Sequence, residues 1–166
     1  MTELNIYKVG AESIPVIQGI AQNVWPQTYS PLISMDQIQY MLELMYSTKA
    51  LEEQLNNQHQ FILASYKNKP VGFASFSPTK TTREYQLQKL YVDLSFQKQG
   101  IGRLLFRTIV EDVKQLDGLH LILQVNRNNL NAIEFYKRME LQIEKEMNVA
   151  IGNNFFMNDY IMGIYL

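Results

Sequence analysis

The stretch Leu90-Tyr91-Val92-Asp93-Leu94-Ser95-Phe96-Gln97-Lys98-Gln99-Gly100-Ile101-Gly102-Arg103-Leu104-Leu105 changes its hydrophobic period part-way along. It leaves a β-type run that ends at Val92, crosses a polar loop, and enters a helical pattern at about Gly100. The first N–H groups of a helix have no intrahelical partner and carry a partial positive charge. Glycines without a Cβ let an anion come close to them, so Gln97-Lys98-Gln99-Gly100-Ile101-Gly102 at this junction is a physical phosphate cradle. A tight turn followed by a helix start uses the same residues. Two nucleotide-binding patterns are excluded here. The loop lacks the Gly-Lys-Ser/Thr of a P-loop. No acidic residue closes the next strand, as a dinucleotide fold requires, and Asp117 lies ahead of that strand.

Outward from this loop the pattern alternates. Gly100 to Leu116 is helical, with Phe106, Ile109, Val110, Val113 and Leu116 on one face. Leu119 to Val125 reads as a strand, Asn129 to Met139 as a helix carrying Ala132, Phe135, Tyr136 and Met139 in register, and strands follow near Leu141 to Val149 and Phe155 to Tyr165. On the other side Tyr85 to Val92 is a strand, preceded by a hairpin of Phe61 to Tyr66 and Val71 to Ser77 around Lys67-Asn68-Lys69-Pro70. The zone from Ile14 to Asn57 is helical in period. There Ser34 with Gln37 offers a capping box, and two helices are predicted, broken near Ser30-Pro31. A first strand covers Leu4 to Val9. The Pro-bearing steps, Trp25-Pro26 among them, read as element boundaries. Strand, helix, strand, helix in succession requires a parallel crossover, and the hairpins add antiparallel strands. The expected fold class is therefore α/β (α+β), a mixed sheet covered by helices.

With 166 residues, 46% of them hydrophobic and 19% charged, the chain has the material for one domain, expected over residues 1–166. It contains no cysteine, which excludes disulfides, thiolate metal sites and a cysteine nucleophile and fits a reducing, cytoplasmic location. No metal is expected. A formal charge of -1 and a pI near 6.1 argue against nucleic acid as the main partner. No apolar run is long enough for a membrane span, and no secretion signal opens the chain.

Two motifs carry a family resemblance. Leu90 to Leu105 resembles the acetyl-CoA motif of the GNAT superfamily, whose core is Arg/Gln-x-x-Gly-x-Gly/Ala. Downstream, Asn129-Leu130-Asn131-Ala132-Ile133-Glu134-Phe135-Tyr136-Lys137-Arg138-Met139 resembles the second signature, Asn-x-x-Ala followed by Phe-Tyr. The stretch from Tyr85 to Leu141 contains both. Two departures are visible: Leu94 stands where a proline is common, and Glu140-Leu141 replaces the usual Gly-Phe, so Glu140 implies a different helix ending. The resemblance implies a mixed, mostly antiparallel sheet of six or seven strands flanked by about four helices around a parallel strand-helix-strand unit.

It also implies roles. Backbone groups of Leu90, Tyr91 and Val92 would hold the pantetheine arm and the acetyl carbonyl. The amides of Gln97, Lys98, Gln99, Gly100, Ile101, Gly102 and Arg103 would hold the diphosphate of acetyl-CoA, the cosubstrate. Asn129 would bond the pantetheine or serve as a helix N-cap. Tyr136 would protonate or hydrogen-bond the departing thiolate, although its place on an apolar stripe also fits core packing. An alkylamine is only about four parts in ten thousand neutral at pH 7, so a base is needed, and Glu84 is the candidate, with Tyr85 beside it. His59 and His120 read as structural. Trp25 to Tyr46 would wall the acceptor site, with Trp25, Tyr29, Tyr40, Met41, Met45 and Tyr46 beside Asp36 and Glu43, a mix suited to a cationic amine. Trp25-Pro26-x-Thr28-Tyr29, Gln37-x-x-Tyr40-Met41 and Asp159 to Met162 loosely resemble the polyamine-acetylating branch. The expected partner is a small-molecule amine, the alternative acceptor is a protein or peptide, and self-association as a homodimer is left open. A non-catalytic acetyl-CoA-binding module is the remaining alternative.

Overall fold

The computed structural model describes residues 3–166. Seven strands form one sheet in the order β1-β2-β3-β4-β5-β7-β6. They are β1 (Leu4–Val9), β2 (Gln60–Tyr66), β3 (Lys69–Pro78), β4 (Glu84–Val92), β5 (His120–Asn126), β6 (Gln142–Gly152) and β7 (Phe155–Tyr165). Neighbours are antiparallel except β4 and β5, the parallel pair that the strand-helix-strand alternation requires. Helices α1 (Ile14–Tyr29), α2 (Met35–Tyr46) and α3 (Thr48–Asn56) contribute to one hydrophobic cluster, and α4 (Ile101–Gln115) and α5 (Leu130–Arg138) to another. Helices thus cover both faces, and β2 and β3 read as unbroken apolar runs because both of their faces are buried. Among the described residues no helix is long and apolar enough to cross a membrane.

Three local expectations are corrected. The N-terminal zone holds three helices and not two. The second break falls at Ser47, whose side chain accepts from the Ala50 N–H at 3.1 Å and caps α3. Pro26 does not mark a boundary but lies inside α1, where its carbonyl accepts from Ser30 N. Glu140 does not change the way α5 ends: it takes the left-handed conformation itself, at φ 73°, where a glycine would be free of strain. The capping box at α2 is half formed. Ser34 Oγ accepts from Gln37 N at 3.1 Å, while the Gln37 side chain reaches away to the Phe156 carbonyl at 2.8 Å.

Two features of β4 position the site. Against β3 its register runs Lys89 to Ser75 and then Leu87 to Phe76, so Gln88 is an extra residue, a β-bulge. The bulge changes parity: Tyr85, Leu87, Leu90 and Val92 all belong to the α4–α5 cluster, while Tyr91 packs in the α1–α3 cluster and Lys89 lies against Tyr46 and Phe61 of that same cluster. Against β5, β4 pairs only from Glu84 to Leu87. Beyond Leu87 and Leu123 the two strands part, leaving a gap between Gln88–Val92 and Gln124–Asn126 while β5 continues its pairing with β7.

Candidate active site

The loop after β4 reaches the mouth of this gap. Asp93 opens a short 3-10 turn by accepting from Ser95 N at 2.9 Å, and Gln97 donates through Nε2 to the Val92 carbonyl at 3.1 Å, which folds the loop back on the strand end. Lys98 and Gly100 have positive φ, 62° and 84°. Helices α2, α3 and α5 are each capped by a side chain, from Ser34, Ser47 and Asn129. Helix α4 has none. Its first backbone bond runs from Leu104 N to Gly100 O at 3.0 Å, so the N–H groups of Ile101, Gly102 and Arg103 precede the helical ladder. A Cβ at Gly100 would meet nothing within 4 Å, and Gln97 to Gly100 are exposed, so an anion has both room and donors here. Lys98 and Arg103 add exposed positive charge.

Inside the gap, a strand with a neighbour on one side only turns half of its backbone donors and acceptors toward the other. Leu90, Tyr91 and Val92 pair with Ala74, Phe73 and Gly72 of β3 and face β5 across open space. Tyr136 packs edgewise on Phe135 and against Phe106 in the α4–α5 core. Burial raises its pKa, and the nearby Tyr29 raises it further, so it holds its proton throughout the physiological range. Tyr91 is also raised, by burial first and then by Tyr29, Tyr46 and Tyr136. Tyr29 and Tyr91 share a hydroxyl-hydroxyl hydrogen bond of 3.0 Å. Four phenols therefore converge on the gap. Asn129 caps α5, accepting from Ala132 N at 3.4 Å, so the helix-cap role is realised.

On the α1–α2 side the gap opens into a cavity of about 160 Å³. Trp25, Tyr29, Met41, Met45 and Tyr46 line it, as expected of the acceptor wall, together with Gln86, Gln88, Gln124 and Asn126 from the parted strands. Asp36 and Glu43 are exposed and outside it, and Tyr40 instead donates to the Ile151 carbonyl at 2.7 Å. One buried ion lines the cavity, Lys89, and a second, Asp159, lies outside the lining, near Tyr29. Lys89, 7% exposed, lies 5.0 Å from the Tyr46 ring centre and 5.9 Å from that of Phe61, and burial lowers its pKa to about 8. Asp159, 1% exposed, has no hydrogen-bond partner on either carboxylate oxygen, and burial raises its pKa to about 6 against the pull of Arg127. Neither was singled out from the sequence as a site residue. The available signal was polar residues breaking into apolar strands: Gln86 and Gln88 in β4, Gln124 in β5 and Asp159 in β7.

Glu84 is not brought to the cavity. It sits at the opposite, closed end of β4, where Oε1 accepts from Thr79 Oγ1 at 2.7 Å and Oε2 meets His120 Nδ1 at 2.9 Å. His120 Nε2 meets Glu144 at 2.9 Å, and its ring stacks on Tyr165 at 4.2 Å. His120 is thereby tied into the sheet, as its structural reading supposed. His59 lies at the start of β2, where burial and Lys89 depress its pKa.

Comparison with known proteins agrees with this geometry. Residues 22–140 match the model of the acetyltransferase (GNAT) family, and the chain belongs to that family. An uncharacterized N-acetyltransferase of Methanocaldococcus jannaschii is 32% identical over 92 residues, 52% of this chain and 40% of that relative, so the match spans less than half of the relative's length. Among solved structures, the PaiA N-acetyltransferase of Thermoplasma acidophilum in complex with coenzyme A superposes with a TM-score of 0.84 at 21% identity, covering 98% of this chain and 99% of that one. The ribosomal-protein-S18-alanine N-acetyltransferase of Escherichia coli gives 0.74 at 18% identity, covering 98% and 93%. At these identities the likeness is one of fold.

Proposed function

We propose that the protein is an acetyl-CoA-dependent N-acetyltransferase whose acceptor is the primary amine of a small molecule. The observation that carries this is the uncapped start of α4, set at the mouth of a gap between two parted parallel strands. Amides of Gln97 to Arg103 hold the diphosphate, and main-chain groups of Leu90 to Val92 align the pantetheine arm. The bound thioester supplies the acetyl group. A main-chain N–H of β4 turned into the gap stabilises the oxyanion that develops on the acetyl carbonyl. Tyr136, kept protonated by burial, donates to the departing sulfur. The cavity walled by Trp25, Tyr29, Met41, Met45 and Tyr46 admits the amine from the α1–α2 side. Family membership and the fold shared with a coenzyme A complex support the reading.

A polyamine is the first acceptor to try, although the carboxylates expected from α2 point elsewhere. A peptide acceptor has one observation in its favour. The cavity borders a second, more open one of about 270 Å³ that shares Ile33, Gln37, Asn126 and Phe156 and adds Asn128, Asn154 and Asn158, a row of amides suited to a peptide backbone. Calorimetry with acetyl-CoA, followed by a free-thiol assay on polyamines, amino acids and peptides, tests both. Binding with turnover of a small amine is expected. A signal from peptides alone would overturn the small-amine reading, and no heat with acetyl-CoA would overturn the enzyme.

A further inference from the structure

We propose that Asp159 is the group that holds the acceptor's ammonium and takes its proton. This rests on the acetyl transfer proposed above and fills the place that Glu84 leaves empty.

The placement comes from register. Leu87 and Leu123 are the last paired residues of β4 and β5, and Asn126 lies three positions beyond Leu123, a rise of about 10 Å. The same rise on the bulged β4 reaches Lys89 to Tyr91. Asp159 is the direct partner of Asn126 on β7, so it lies one strand behind the β5 edge of the gap, level with the main chain assigned to the acetyl carbonyl and just behind the cavity lining. Cross-strand partners share a face, and Asn126 and the i−2 neighbour Met157 both line the acceptor cavity. Tyr29, another lining residue, is close enough for the Asp159 charge to raise its pKa.

Chemistry distinguishes this carboxylate from every other near the site. A buried carboxylate without a partner is costly, and native proteins ordinarily satisfy such groups. The cation whose charge acts on it is committed elsewhere: Arg127 bonds Glu146 at 3.4 Å and Asn148. An ammonium would supply what is missing. Ionisable groups around Asp159 are Arg127 from the turn after β5, Glu146 of β6 through Arg127, and the phenol of Tyr29, which burial keeps neutral; elsewhere in the cavity lining stand Tyr91 and Lys89 of β4, the lysine lowered by burial to about 8. Helix α2 contributes Gln37 and Met41 to the cavity, and neither titrates. A carboxylate whose burial lifts it to about 6 is still ionised at pH 7.5 but is a far better proton acceptor than one in water.

The step balances. One N–H proton of the ammonium passes to the Asp159 carboxylate. The freed lone pair forms the C–N bond, the C–S bond breaks with its electron pair on sulfur, and sulfur takes a proton from Tyr136. The amide nitrogen then loses its second proton to water, and Asp159 and Tyr136 re-equilibrate with solvent.

Asp159→Asn keeps the shape and removes the charge. With an amine that the wild type acetylates, kcat/KM at pH 7 is expected to fall about a hundredfold or more, through both kcat and KM, while calorimetric affinity for acetyl-CoA stays within twofold. The wild-type kcat should show an acidic limb with a midpoint near 6 that the variant lacks. Raising the pH to 9, where neutral amine is about a hundred times more abundant, should restore much of the variant's rate, an effect that a purely structural residue would not give. Asp159→Glu should recover part of the activity at pH 7. Turnover within threefold of wild type for Asp159→Asn, or a wild-type profile without the acidic limb, overturns the proposal. The second outcome needs no variant and holds even if Asp159→Asn fails to fold. If the wild type acetylates no amine at all, the failure lies with the transferase reading.

Discussion

The two ends of β4 carry similar side chains and treat them in opposite ways. At the closed end Glu84, His120, Glu144 and Thr79 satisfy one another within 2.9 Å, and Gly163 leaves room for them, since a Cβ there would collide with Glu144 and His120. At the open end Asp159 is buried with both oxygens unpaired, and Lys89 rests on aromatic faces without a carboxylate. Both ends are polar, yet only one is complete. A satisfied network serves the fold, whereas an unsatisfied one raises the energy of the free protein and lowers it again when a complementary ligand arrives. A carboxylate's surroundings, more than its presence near a motif, separate a structural group from a chemical one.

The contrast can be broken at several places. The largest expected effect is at the cradle: Gly100→Val puts a β-branched residue at φ 84° and fills the space above the α4 amides, so acetyl-CoA affinity should drop by about a hundredfold in calorimetry. Next, Tyr136→Phe should slow turnover about tenfold or more while coenzyme affinity persists, and unchanged turnover would remove Tyr136 from the chemistry. At the closed end Glu84→Gln should leave turnover within about twofold and cost about 1–3 kcal/mol of stability, read as a lowered melting temperature. A large rate loss there would erase the difference between the two ends.

Melting against pH sharpens it. The Asp159 pKa rises from 3.8 when unfolded to about 6 when folded, so its stabilising contribution is complete below about 4 and is lost as the pH climbs through 6. Asp159→Asn should therefore melt higher than wild type at pH 7, with the difference closing toward pH 4. The smallest effect is remote from both ends: Glu140→Gly, relieving the left-handed residue after α5, should add about 0.5–1 kcal/mol without touching activity.

Most of the architecture was legible because it rests on period. All seven strands and the parallel crossover follow from apolar alternation and the helices between, and the α4 loop follows from its glycines at a strand-helix junction. Helix α3 was missed because Thr48–Asn56 is short and polar and buries only Leu51, leaving the Ser47 cap as its one clear signal. The family resemblance, which assigns the acceptor wall to the N-terminal helices, points to Trp25, Tyr29, Met41, Met45 and Tyr46, and all five line the cavity. Asp36 and Glu43 were grouped with them by proximity in sequence, and the helix turns both outward. Asp159 could not be read as an unpaired ion, because whether a partner is present depends on which chains cross overhead.

The extra residue at Gln88 makes this chain unusually sensitive to a change in length. Losing one codon from the middle of β4 would rotate everything downstream by half a turn, driving Leu90 and Val92 into the acceptor chamber and Tyr91 under α4. No point replacement exchanges the two faces at once. Homologues that diverge freely in side chains along this strand should still keep its residue count.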